Sequence, residues 1–127
     1  MSIRKEDLEK ASRVKVIIEK EYHKPFTVAD LVQIAGSNKR KLNIAFKQLT
    51  GSPLIMYHRE IRIEKAKDLL VNTDNSIEVI ARRVGLDRSN LDKQFKKITE
   101  KTPRQWRLEN RKPMTYEDYL RKIGEIE

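Results

Sequence analysis

Residues 53–73, PLIMYHREIRIEKAKDLLVNT, read as one long helix. Pro53 suits a first helical position, where its missing N–H would have had no partner. Leu54, Tyr57 and Ile61 recur at helical spacing and form one apolar stripe. Ile63, Ala66 and Leu70 form a second stripe, rotated from the first. A helix that is apolar on two faces packs against two bodies, one near each end. The stretch would span about 31 Å at about 1.5 Å per residue.

Both flanks carry the same pattern. Upstream, Thr27-Val28-Ala29-Asp30 has capping-box form, with Asp in place of the commoner Glu or Gln. Leu31 and Ile34 give that short helix a buried side, and Gly36 ends it. Ser37 can cap the next helix, whose stripe is Leu42, Phe46 and Leu49. Downstream, Ser76 caps a short helix with Ile77 and Ile80 buried, and Gly85 breaks it. Asp87 caps a longer helix with the stripe Leu91, Phe95 and Ile98.

At an offset of 49 residues the two copies superpose without a gap. Val28 meets Ile77, Leu31 meets Ile80, and Gly36 meets Gly85. Leu42, Phe46, Leu49 and Thr50 meet Leu91, Phe95, Ile98 and Thr99. Tyr57 meets Trp106, which follows a capping box at Thr102-Pro103-Arg104-Gln105. Ahead of the first copy, Leu8, Ala11, Val14 and Ile18 mark a helix over 5–22 that His23-Lys24-Pro25 stops. After the second, Arg111-Lys112-Pro113 ends the regular part, and Thr115 begins an amphipathic helix with Tyr116, Tyr119, Leu120 and Ile123 on its apolar side.

A short helix, a glycine turn and a longer helix make a helix-turn-helix, whose second helix can enter the DNA major groove. Helical hairpins also tile solenoids. Here the unit is short, occurs twice, and carries its basic residues on the second helix. If residues 42, 46 and 49 face inward, the outward side holds Lys39, Arg40, Asn43 and Lys47, with Arg88, Ser89, Asp92 and Lys93 in the second copy. These are the candidate base readers, because Arg and Lys pair with guanine, Asn with adenine, and Asp accepts from cytosine. Each can instead meet phosphate or solvent. Ser37, Lys41, Ser76 and Lys96 are the candidate phosphate contacts, near helix starts or on the basic face.

Composition agrees. The net charge is +9 over 127 residues, which points to a polyanionic partner. Residues 38–48 contain four cations and no acid. Cysteine is absent, which removes disulfides, thiol nucleophiles and thiolate zinc sites and fits a reducing compartment such as the cytoplasm. His23 and His58 lack metal-ligand spacing and read as surface or helix-edge residues. No apolar run approaches the ~20 residues of a membrane span. No Gly-rich phosphate loop follows a strand. The expectation is a protein that is not an enzyme and needs no cofactor or metal.

The residues Gly36-Ser37, Leu42, Ala45-Phe46-Lys47, Thr50-Gly51 and Arg62-Ile63-Glu64-Lys65-Ala66, with Leu69-Leu70, resemble the DNA-binding module of AraC/XylS-type transcription regulators. The second copy extends the match through Ser76-Ile77, Ile80-Ala81, Val84-Gly85-Leu86, Leu91, Phe95-Lys96-Lys97, Thr99, Thr102-Pro103 and Trp106-Arg107. The resemblance implies an all-α fold of about seven helices plus a C-terminal helix, with two helix-turn-helix subdomains joined by a long central helix. The module would occupy 1–112. Its first helix-turn-helix lies near 27–50, its linker helix near 53–73, its second helix-turn-helix near 76–99, and a helical extension follows at 113–127. It also implies an activator that binds double-stranded promoter DNA in successive major grooves and contacts RNA polymerase.

Some features depart from that pattern. Pro53 sits one residue early relative to Pro103, and Glu100 stands where the family carries glycine. Most relatives have a sensor or dimerisation domain ahead of the module. An effector or sensor domain is absent from these residues, so the expectation is a stand-alone regulator or the C-terminal part of a longer one. Two alternatives remain: a protein-interaction module using the last helix, and structured-RNA binding. The second lacks exposed aromatics for base stacking, since Phe46, Phe95 and Trp106 read as buried.

Overall fold

Short-range capping chemistry determines where most helices begin. Thr27 Oγ1 accepts from Asp30 N at 3.1 Å, and Asp30 Oδ2 accepts from Thr27 N at 3.0 Å. Thr102 and Gln105 repeat this reciprocal pair at 3.1 and 2.9 Å, with Pro103 in the first turn. Ser76 and Asp87 each cap through one bond, to Val79 N at 3.2 Å and Asn90 N at 2.7 Å. The computed structural model describes residues 2–111 and 116–126, and among them every regular element is helical. The order is α1 (Lys5–Lys20), α2 (Val28–Ala35), α3 (Lys39–Thr50), α4 (Leu54–Asn72), α5 (Ile77–Arg83), α6 (Arg88–Thr99), α7 (Pro103–Asn110) and α8 (Tyr116–Ile126).

Two caps differ from expectation. Asn38, not Ser37, caps α3, accepting from Lys41 N at 2.9 Å. Ser37 is occupied by the end of α2: Gly36 N donates to Gln33 O at 3.1 Å and Ser37 N to Val32 O at 3.3 Å. That double closure needs the left-handed backbone that Gly36 supplies at φ 65°. Pro53 is itself the N-cap, in extended conformation, and Leu54 is the first helical residue. It matches Thr102, the N-cap of α7, at the repeat offset.

α4 joins two separate cores. Leu54 packs with Ala11, Val14, Ile18, Leu31, Ala35, Leu42, Ala45 and Phe46, and Tyr57 and Ile61 lie against them. Ile63, Ala66 and Leu70 pack with Ile80, Ala81, Val84, Leu91 and Phe95, flanked by Ile98 and Trp106. The two stripes of 53–73 therefore serve two bodies, as their rotation requires. Two expected core residues are instead exposed, Ile34 at 52% and Leu49 at 42%. Leu31 and Ala35, four apart, stack on the inward face of α2 and turn Ile34 outward. Leu49 lies on the last turn of α3, past the buried positions 42, 45 and 46. Trp106 is half-buried rather than buried.

The repeat extends to side-chain detail. Thr50 Oγ1 donates to Phe46 O at 2.8 Å and receives Ser52 N at 3.2 Å; Thr99 does the same with Phe95 O at 2.7 Å and Lys101 N at 3.1 Å. Phe46 meets Tyr57 edge-on at 5.1 Å, and Phe95 meets Trp106 edge-on at 5.8 Å. Gly51 ends α3 at φ 82°, and Glu100 ends α6 at φ 65°, the one positive-φ non-glycine residue among those described. A side chain there is strained by roughly 1–2 kcal/mol, partly offset by glycine's greater freedom when unfolded. Glu100→Gly should therefore stabilise the fold by about 0.5–1 kcal/mol in urea titration. Destabilisation would show that the Glu100 side chain holds the turn.

His58 is not a surface residue: it is 5% exposed, and Arg62 beside it is 7% exposed. Both donate to the connection between α1 and α2. His58 Nε2 and Arg62 Nε each lie 2.7 Å from Tyr22 O, and Arg62 Nη2 lies 2.7 Å from Lys24 O. The second unit has a counterpart in Arg107, which donates to Leu70 O at 2.9 Å, Thr73 O at 3.2 Å and Asn75 O at 2.6 Å.

Burial holds the His58 pKa below its ordinary 6.5, against the Tyr22 carbonyl bond and with help from the Arg62 charge. The unfolded chain thus takes up this proton before the folded one does. The stabilisation is complete above pH 6.5 and is lost as pH falls from there through the lower folded value. Wild type should show a falling urea midpoint below pH 6.5, and His58→Gln a flatter profile. Identical slopes in the two proteins would exclude His58 as the source.

On α8, Tyr116 and Leu120 of the apolar side are 74% and 49% exposed. The expected stop at 112–113, the helix start at Thr115 and the side chain of Tyr119 lie outside the described residues.

Candidate nucleic-acid interface

The first turn of α3 is Lys39-Arg40-Lys41, and it contains no acid. Cations at a helix N-terminus oppose the helix dipole, so this placement costs local stability. An anion bound there would reverse the sign of that cost, because free N–H groups and side-chain cations converge on it. Lys39, Arg40 and Lys47 are exposed, while Lys41 and Asn43 are half-buried. The ion pairs of the described residues include none of these cations.

α6 is built alike but charged differently. Arg88, Ser89, Lys93 and Lys96 are exposed, and Asp92 is half-buried. Arg88 is paired with Glu78 on α5 and lies 3.6 Å from Asp92. Its partners are solvated, so the pairing is weak and can be exchanged for another anion. Nevertheless, two candidate readers, Arg88 and Asp92, hold each other in the unbound chain. Sequence spacing could have suggested the second pairing, at i and i+4, but not Glu78, ten residues away.

Ser37 and Lys41 share a cleft with Arg4, Glu6, Asp7, Lys10, Gly36 and Asn38. Lys10 Nζ donates to Gly36 O at 3.1 Å, which ties α1 to the turn of the first unit. Arg4 and Lys10 are thus cations of this face that sequence reasoning missed, because only the packing of α1 on α3 brings them there. Ser76 is exposed at the start of α5, apart from that cleft. Between α4 and α6, a smaller recess is lined by Met56, Arg59, Gln94, Lys97 and Ile98. Among the described residues there is no group of three or more His, Cys, Asp or Glu able to hold a metal, and no helix is long and apolar enough to cross a membrane.

Comparison with known proteins locates this architecture. The family described as a helix-turn-helix domain matches residues 31–109. The HTH-type transcriptional activator RhaR of Klebsiella pneumoniae is 33% identical over 89 residues, 69% of this chain and 32% of that protein. The bifunctional transcriptional activator/DNA repair enzyme AdaA of Bacillus subtilis is 29% identical over 100 residues, 78% of this chain and 47% of that protein. The chain therefore spans less than half the length of these curated relatives. Among solved structures, the DNA-binding domain of AdpA in complex with a target DNA has a TM-score of 0.73 at 25% identity, covering 77% of this chain and 89% of that one. A regulator with an AraC-type DNA-binding domain from Chromobacterium violaceum has a TM-score of 0.72 at 25% identity, covering 83% and 95%.

Proposed function

The chain belongs to the helix-turn-helix family of AraC-type DNA-binding domains, and from that premise we propose that it is a sequence-specific regulator of transcription acting on double-stranded promoter DNA. The observation that carries this reading is the duplicated unit whose first recognition helix presents unpaired cations at its N-terminal end. α3 and α6 enter neighbouring major grooves, and α4, at about 28 Å for its 19 residues, holds them about one DNA turn apart. Lys39, Arg40, Asn43, Lys47, Arg88, Ser89, Asp92 and Lys93 are the proposed base readers. Ser37, Lys41, Ser76 and Lys96 position the phosphates.

The module spans 1–112 with its extension at 113–127, acts in the cytoplasm and contacts RNA polymerase. It is not an enzyme. One relative is named as a repair enzyme as well as an activator, and thiol chemistry of any kind is closed to this cysteine-free sequence.

Selection of bound sites from random duplex DNA tests the reading. Enrichment of a two-box motif with boxes about one turn apart supports it, and no enrichment overturns it. On the selected site, Arg40→Ala and Lys93→Ala should each cost roughly 10- to 100-fold in affinity and much less on random DNA. Equal loss on both would reassign these residues to phosphate contact.

A further inference from the structure

Gly36 and Gly85 are equivalent in the repeat and share a left-handed backbone, at φ +65° and +84°. Their surroundings are not equivalent. A Cβ on Gly36 would meet nothing within 4 Å. A Cβ on Gly85 would stand 2.1 Å from His23 O, 2.8 Å from the His23 carbonyl carbon and 3.0 Å from Arg62 Nη2. The turn of the second unit is therefore pressed onto the α1–α2 connection of the first, and only glycine permits it. Arg62 grips that connection through Tyr22 O and Lys24 O, and His58 holds Tyr22 O as well. Tyr22, half-buried, packs against the second core. Residues 21–26 thus belong to the first unit by sequence and touch both by packing.

We propose that this junction, clamped by Arg62 and admitted by the missing side chain at Gly85, is a strut that determines which spacing between the two DNA boxes the protein accepts. The proposal rests on the DNA-binding reading above. A shared helix sets the distance between two units but resists rotation about its own axis only through its side-chain packing. A second attachment, from the turn of one unit to the connection of the other, opposes that rotation. One inserted base pair separates two boxes by about 3.4 Å and turns them by about 34–36°. A strutted pair of recognition helices follows that turn only by distorting itself or the DNA. Arg62 and Gly85 touch no base in this scheme; they are positioning residues.

The test uses the selected two-box site and versions with one base pair added or removed between the boxes. Wild type should lose roughly tenfold or more in affinity on the altered spacings. Arg62→Met and Gly85→Asn should lose roughly threefold or less, with the base preference within each box unchanged. Asn tolerates left-handed backbone, so Gly85→Asn adds chiefly the Cβ contact. Gly36→Asn carries the same backbone change into open space, so whatever its affinity for the unaltered site it should lose the same factor as wild type when the spacing changes.

Spin labels at the exposed positions Gln48 and Lys97 give a readout without DNA. Their distance distribution should be narrow in wild type and Gly36→Asn and broad in the two junction variants. Unchanged spacing dependence in the junction variants, flattening by Gly36→Asn, or a wild-type distance distribution as broad as theirs would overturn the strut. A wild type that enriches no two-box site, yet keeps the narrow distance distribution, overturns the DNA-binding reading and with it the role in spacing.

Discussion

Affinity for the selected duplex should fall roughly a thousandfold between 50 and 200 mM salt. The expectation follows from the charge on the proposed face. About six Lys or Arg side chains on phosphates release about as many counterions, giving a slope near −5 in log affinity against log salt. Lys41 on α3 and Lys96 on α6 enter that count without losing any internal ion pair among the described residues. Arg88 must first leave Glu78 and Asp92, so its net contribution is smaller. Neutralising Lys41 or Lys96 should reduce the slope by about one each, and neutralising the base reader Arg88 by less. Titration of labelled duplex at four salt concentrations reads this directly. A slope shallower than about −2 would mean that phosphates are not the main partners of this face.

Phe95→Ala should cost about 3–5 kcal/mol, the usual range for emptying a buried phenylalanine site. Phe95 is fully buried among Ile63, Leu70, Ile80 and Leu91, with the Trp106 ring edge-on at 5.8 Å. Neighbours held by helix backbones cannot close a void of that size, and the aromatic pair is lost with it. Against a typical total of about 5–15 kcal/mol, this brings the second unit close to unfolding. The first core shares no buried residue with the second, so amide protection in α2 and α3 should outlast that in α5 and α6. Urea melts combined with hydrogen exchange measure both quantities. A loss below about 1 kcal/mol, or uniform loss of protection, would contradict the two-core description.

Much of this was legible in the sequence because the deciding interactions are short. A cap at Thr27, Ser76, Asp87 or Thr102 acts three residues ahead, and its chemistry is written in adjacent letters. The twofold pattern was legible because each unit buries the same positions, so Leu42, Phe46, Leu91 and Phe95 had to be apolar at the same offset. Exposed polar readers were less legible. Lys39 and Arg88 look alike in sequence, yet one is unpaired and the other is held by an acid on the preceding helix. Ile34 and Leu49 were misplaced because a helical stripe is wider than the contact it makes in a unit this small.

The long stretch 53–73 by itself determined a helix with two apolar faces, and hence two bodies. Only the tertiary structure decided how those bodies are held. His58 and Arg62 reach carbonyls 36 to 40 residues away. Gly85 matters because of His23, far from it in the chain, while its twin Gly36 faces open space. Periodicity records which side of a helix avoids water. It carries no record of which distant backbone a buried cation or a bare α-carbon will meet, because that depends on how separately formed units pack.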